Sequence, residues 1–229
     1  MPCTLPASLA DAAVCRGSFH AVLGREAGEA VFADFSAALQ KAQADGRILT
    51  ASLFRYENHL FFYAEGLNRP FTPQGLCPAL DAALLPWPPA LGEAAPRPWA
   101  AMQPYFYHDV PTTAADWQQG RCPQRRRGRI ALLPPDSWCS YMEHHLRIVT
   151  EGLVEGDRWH LICVQEGVLF SYLEEPRTNV NIKHRPGAHS PELDAWIAAD
   201  PESHFARFTP EQKAHPDSGH NFVFLPRIA

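Results

Sequence analysis

The sequence predicts an α+β protein made of two tandem ferredoxin-like units, β-α-β-β-α-β twice. The two are expected to pack sheet to sheet as an intramolecular version of the dimeric α+β barrel. Three observations point there. Short motifs recur in the same order along the chain. Each half reads as strand, helix, hairpin, helix, strand. A ferredoxin-like sheet carries helices on one face only, so its bare apolar face needs a cover that a second unit can supply.

The repeat comes first because it decides the architecture. HLFFYAE at 59–65 returns as VLFSYLE at 168–174, with Leu60, Phe61, Tyr63 and Glu65 matching Leu169, Phe170, Tyr172 and Glu174 at one offset. Upstream, Arg16-Gly17 matches Arg127-Gly128. Downstream, Pro78-Ala79-Leu80-Asp81-Ala82 matches Pro191-Glu192-Leu193-Asp194-Ala195. Each half closes on an aromatic strand, PYFYHDV at 104–110 and NFVFLPRI at 221–228. The units are therefore expected at 1–112 and 127–229, joined by a polar, turn-rich linker at 113–126.

Within each half the elements follow in order. SFHAVL (18–23) and RIALL (129–133) are short apolar strands. The first helix carries Val31, Phe35, Ala38, Leu39 and Ala42 at helical spacing. Its counterpart starts after Pro134-Pro135, with Asp136 or Ser137 as cap, and carries Trp138, Tyr141, Met142, Val149 and Leu153. Hairpins follow at 48–55 with 59–65 and at 159–165 with 168–174, turning at Tyr56-Glu57-Asn58 and Glu166-Gly167. Second helices begin near 78 and 191. The run PWPPALGEAAPRP at 86–98 holds too many prolines for helix or central strand and reads as a surface loop.

Composition narrows the functional classes. The 229 residues include 22 prolines, about twice the usual share of roughly 5 %. Yet 46 % of residues are hydrophobic, which excludes a disordered chain. A net charge of −5 and a pI near 6.1 argue against a nucleic-acid partner. No apolar run is long enough to span a membrane, and the N-terminus has no basic leader, so no membrane partner and a cytoplasmic location are expected. The six cysteines (Cys3, Cys15, Cys77, Cys122, Cys139, Cys163) contain no CxxC pair and read as reduced thiols. Eleven histidines raise the question of a metal. There is no H-E-x-x-H, no H-x-H and no cysteine pair, so neither metal nor cofactor is expected. The run Arg125-Arg126-Arg127-Gly128-Arg129 reads as a solvated linker leading into a strand.

Chemistry concentrates in the second half. Tyr141 and His145 are an i, i+4 pair on the apolar side of their helix, so an imidazole is aimed at the sheet. The first half has only apolar residues at about Val31 and Phe35. His160 begins the next strand and Glu174 ends the hairpin, so both could converge on His145. His, Tyr and Glu in one apolar pocket suit general acid–base work. The same residues also suit a hydrogen-bonded core histidine beside a core tyrosine, and Glu174 has its counterpart in Glu65.

Residues 127–228 resemble the L-rhamnose mutarotases, small ferredoxin-like sugar epimerases that assemble as dimers. The resemblance rests on YMEHHLRIVTE, which places Tyr141, His145 and Glu151 in the family's helix pattern, on Leu169, Phe170 and Glu174, and on Phe222-Val223-Phe224-Leu225-Pro226. It implies His145 as proton donor and Tyr141 as sugar contact. It also aligns His160 with a second sugar-contacting tyrosine and Phe205-Ala206 with a tandem tryptophan. The family's Trp-Pro is replaced here by Val149-Thr150, and 176–190 looks remodelled. The reading that results is interconversion of anomers of a rhamnose-like aldose. His145 and Tyr141 would be catalytic, with His160, Glu174, Phe205 and Trp138 around a sugar-like ligand, in a monomer or homodimer. Barrels of this type also host cofactor-independent oxygenases, haem proteins and non-catalytic ligand binders, and fold alone does not separate these.

Overall fold

The computed structural model describes residues 6–179, 182–213 and 216–229. The chain is mixed α+β, and the strand pairings of its main sheet are antiparallel. It forms two compact units. Unit 1 holds 1–102, 111–122 and 227–229; unit 2 holds 103–110 and 123–226. No helix among the described residues is long and apolar enough to cross a membrane.

In unit 1 the order is β1 (Val14–Val22), α1 (Glu29–Ala44), β2 (Ile48–Tyr56), β3 (His59–Leu67), α2 (Pro78–Asp81) and β4 (Ala100–Phe106), of which Ala100–Met102 belong to this unit. The strands lie side by side as β4-β1-β3-β2. Phe35, Leu39 and Ala42 form the buried stripe of α1, three and four residues apart as helical geometry requires. They meet Phe62, Leu80 and Trp99 in a closed apolar core. A further short helix, α3 (Ala114–Gln118), is capped by the Thr113 side chain, which accepts from Asp116 N at 3.2 Å. The predicted linker is thus partly helical. Its anchor is Trp117, fully buried, whose Nε1–H donates to Glu65 at 3.0 Å. The proline-rich run 86–98 is a largely exposed loop, pinned where Trp87 and Arg97 exchange backbone hydrogen bonds.

Unit 2 follows with β5 (Arg125–Leu132), α4 (Pro135–Glu151), β6 (Val154–Glu155), β7 (Leu161–Gln165), β8 (Val168–Glu175), β9 (Lys183–His184), α5 (Pro191–Ala198) and β10 (Val223–Leu225). Its main strands lie side by side as β10-β5-β8-β7, with the C-terminal residues of β4 beyond β7. The apolar stripe of α4 is Tyr141, His145 and Ile148. Pro135 takes the first helical position with Pro134 before it, so neither Asp136 nor Ser137 is the cap. Gly152, at φ 68°, ends the helix.

Three expectations are corrected. Arg125 to Arg129 are not a solvated linker but lie in β5. Arg127 lies 4.1 Å from the Phe224 ring centroid and Arg129 4.4 Å from that of Phe222, so the arginine stems cover aromatic rings. The expected match of Arg16 to Arg127 is not the one the strand registers give: Arg16 faces Glu65, whereas Glu174 is faced by Arg126. The last strand of the first half begins at Ala100, because alanines facing His20 and Phe19 carry no strong strand signal. Beyond it, Gln103 to Phe106 pair with β7 inside unit 2. The C-terminal residues do the reciprocal thing in unit 1, where Leu53 donates to Ala229 O at 2.9 Å and accepts from Ile228 N at 2.8 Å.

Candidate functional site

A cavity of about 320 Å³ opens in unit 2 between α4, α5 and the sheet. This volume is at the small end of the range of ligand pockets. The helix repeat that buries Tyr141 also brings His145 into it one turn later. The His145 Nδ1–H donates to the Tyr141 carbonyl at 2.9 Å, which leaves Nε2 as the unprotonated nitrogen. The imidazole sits 4.2 Å from the Tyr141 ring, 4.6 Å from Trp196 and 4.7 Å from Phe106, centroid to centroid. Burial among these rings lowers its pKa to about 4, so it is neutral at pH 7. Burial likewise pushes the Tyr141 hydroxyl up to about 12, so it stays a donor.

The four other candidates from the sequence do not behave alike. His160 and Phe205 line the cavity as expected. His160 precedes β7, with its backbone N–H donating to Asp157 O at 3.1 Å. Glu174 is not among the lining residues. It accepts from the Tyr172 hydroxyl at 2.6 Å and faces Arg126 at 3.6 Å. Glu65 repeats the arrangement in unit 1, accepting from Tyr63 at 2.6 Å. Glu174 is therefore part of a structural motif common to both units, because strand alternation sends it away from the side that meets α4. Trp138, expected beside the ligand, is 39 % exposed and does not line the cavity. It lies three residues before Tyr141, on the flank of the stripe.

Sequence reasoning missed several lining residues. Phe106 and His108 come from 103–110, a stretch read as the end of the other repeat. Gly156 makes room for His108: a Cβ there would stand 2.0 Å from the ring. Burial lowers His108 to about 4 as well. Arg129, Asp157, Arg177 and Glu202 supply the charged lining. Asp157 accepts from Thr178 N at 3.1 Å and Thr178 Oγ1 at 2.8 Å, and lies 3.3 Å from Arg177 Nε. Glu202 accepts from the Asn221 side-chain amide. The Arg-rich run held the one signal that could have been followed, because alternate residues of a strand must face one side.

One group of described residues has metal-ligand spacing: His184, His189 and Asp194, with ligand atoms within 4.8 Å of one another. It is not part of the cavity. Ser190 N–H donates to His184 Nδ1, which puts that ring's remaining proton on Nε2, 3.5 Å from Asp194. The cluster satisfies itself as it stands. Cys15, Cys77, Cys122, Cys139 and Cys163 are free thiols, and Cys3 lies outside the described residues.

No family model and no curated protein matches the chain. Two solved structures match along most of the chain. One is a candidate monooxygenase from Fusobacterium nucleatum subsp. nucleatum ATCC 25586, 8 % identical over 95 % of this chain and 94 % of that one, with a TM-score of 0.42. The other is a candidate monooxygenase from Lactobacillus acidophilus NCFM, 6 % identical over 95 % of each chain, with a TM-score of 0.40. No L-rhamnose mutarotase is among these matches.

Proposed function

We propose that unit 2 is an acid–base site for a small planar molecule with an acidic O–H, and that its reaction is cofactor-independent oxygenation of a phenol. His145 carries the reading. Its tautomer is set by the Tyr141 carbonyl, its Nε2 is free to accept a proton, and it is neutral across the physiological range. The Tyr141 ring packs against it, and the Tyr141 hydroxyl, kept protonated by burial, is a donor for the oxyanion that forms. The rings of Phe106, Trp196 and Phe205 give a planar substrate faces and edges to pack on. A phenolate is electron-rich enough to react with dioxygen itself. The balance is phenol plus O2 to quinone plus water, with the phenolic proton passing through His145, and no other reductant is required.

The second reading is interconversion of rhamnose-like anomers, favoured by the adjacent Tyr141 hydroxyl and His145. It keeps His145, Tyr141, His160 and Phe205, and loses Glu174 and Trp138. Two assays separate the readings. Oxygen consumption with a panel of phenols and hydroquinones should rise with enzyme and fall to background in His145→Leu. NMR exchange between aldose anomers should stay at the buffer rate. Anomer exchange accelerated by the protein, with no oxygen uptake, would reverse the order of the two readings.

We infer too that the units are tandem copies of one ferredoxin-like unit. Support comes from the identical strand order in each, and from buried helix stripes Phe35-Leu39-Ala42 and Tyr141-His145-Ile148 with the same spacing.

A further inference from the structure

We infer that Arg129 and Arg177 form an anion clamp in the cavity of unit 2, selecting ligands whose ring carries a carboxylate. The inference rests on the acid–base reading of the cavity and adds the class of molecule held there.

Arg129 projects from β5 over the Phe222 ring, 4.4 Å from its centroid. Its Nε is shut off from solvent, and its guanidinium makes no hydrogen bond or ion pair with any described residue. A cation held this way is under-solvated, and its attraction to an anion is correspondingly stronger than in water. Arg177 enters from the segment after β8, with a side chain 22 % exposed. Only its Nε is engaged, by Asp157, and its terminal nitrogens make no hydrogen bond with any described residue. Both arginines line the same cavity and are close enough for Arg177 to lower the proton affinity of Arg129, after the larger effect of burial.

Two carboxylates share the lining. Asp157 pairs with Arg177 Nε and accepts from Thr178, and Glu202 accepts from the Asn221 amide and its charge acts favourably on Arg129, so an anion is held by direct hydrogen bonds to the open guanidinium nitrogens and not by a net positive field. His108 and His145 are neutral at pH 7. A planar carboxylate fits the fork of a guanidinium bidentately, whereas an uncharged amide leaves the charge unmet. The aromatic walls require that the carboxylate be carried on an apolar ring. Carboxylate on the two arginines and hydroxyl toward His145 describe a hydroxylated aromatic acid.

The test is binding to the full chain, followed by the fluorescence of Trp196 and by calorimetry, with benzoate and benzamide as isosteric probes. Benzoate should bind about tenfold or more tightly than benzamide at low salt. Arg129→Gln and Arg177→Gln should each remove most of that ratio while leaving benzamide affinity unchanged, with Arg129→Lys between. Equal binding of the two probes to the unmutated protein overturns the clamp, and that comparison needs no variant to fold. So does tighter binding of phenyl phosphate than of benzoate, which would make the site one for phosphate. The two inferences fail separately. Oxygen uptake with uncharged phenols but no preference for benzoate sinks the clamp alone. A preference for benzoate with no turnover of any hydroxybenzoate keeps the clamp and sinks the acid–base reading.

Discussion

The stripe of α1 and the stripe of α4 occupy equivalent positions and do opposite things. Phe35, Leu39 and Ala42 close an apolar core with Phe62 and Trp99. Tyr141 and His145 line a cavity, while Ile148 joins the apolar core of unit 2. Leu39 and His145 are the decisive pair: one turn after the aromatic, one unit places hydrocarbon and the other a base. Unit 1 does have a cleft, lined by Glu29, Phe32 and Ser36, but it lies on a different face of α1 and reaches neither Phe35 nor Leu39. The same framework thus supports a filled core or a histidine-lined pocket, and the difference lies in a few side chains and not in topology.

The paired carboxylates offer the widest test of this contrast. Burial alone would raise the Glu65 pKa. The charge and hydrogen bonds of Arg121, with those of Tyr63 and Trp117, hold it below the ordinary carboxylate range. Arg121 donates twice to it, at 2.7 and 2.9 Å, with both side chains buried. Arg121→Ala should cost about 3–5 kcal/mol in urea denaturation, since it strands a buried carboxylate. Arg126→Ala, beside Glu174, should cost about 1 kcal/mol or less, because Arg126 is 29 % exposed and 3.6 Å away. Equal losses would show that the two carboxylates do the same work after all.

Acid should separate the units next. His145 in the folded chain has a pKa lowered from 6.5 to about 4, so the unfolded chain binds the proton more readily. Its contribution is fully present above pH 6.5 and is lost as pH falls toward 4, about 3 kcal/mol in all. Urea midpoints at pH 7 and pH 4 should differ accordingly, and His145→Leu should flatten part of the slope while abolishing turnover. The reverse exchange, Leu39→His, should cost about 2 kcal/mol, because the closed core of unit 1 has no partner for an imidazole. If it is tolerated, the core of unit 1 is looser than its packing indicates. Gly156→Ala should cost about 1 kcal/mol from displacing His108. The His108 imidazole signals should move in NMR while the Trp117 indole signal in unit 1 stays put.

Much of this contrast was legible beforehand. The hairpins and the Tyr141–His145 pair stood out because strand and helix periods are local, and Leu60-Phe61 and Leu169-Phe170 fall in matching strands β3 and β8. The N-terminal halves of the outer strands were weaker, since Ala100 and Ala101 have no side-chain pattern to announce a strand. The site was only half legible. His145, Tyr141, His160 and Phe205 lie in one stretch of chain and were found together. Phe106 and His108 were not, because they are distant in sequence and join the pocket only through the pairing of Gln103 to Phe106 with β7. Arg129 was hidden inside an arginine run whose alternating faces appear only once β5 is paired.

That pairing has a consequence for heredity. The codons for Phe106 and His108 lie on the far side of those for residues 113–126 from those for His145. A gene fragment encoding 127–229 would carry the base and the arginines but not the full wall around them. The pocket can therefore be passed on or lost only as a property of the whole gene. Recombination between the halves would be expected to scramble it even when each half arrives intact.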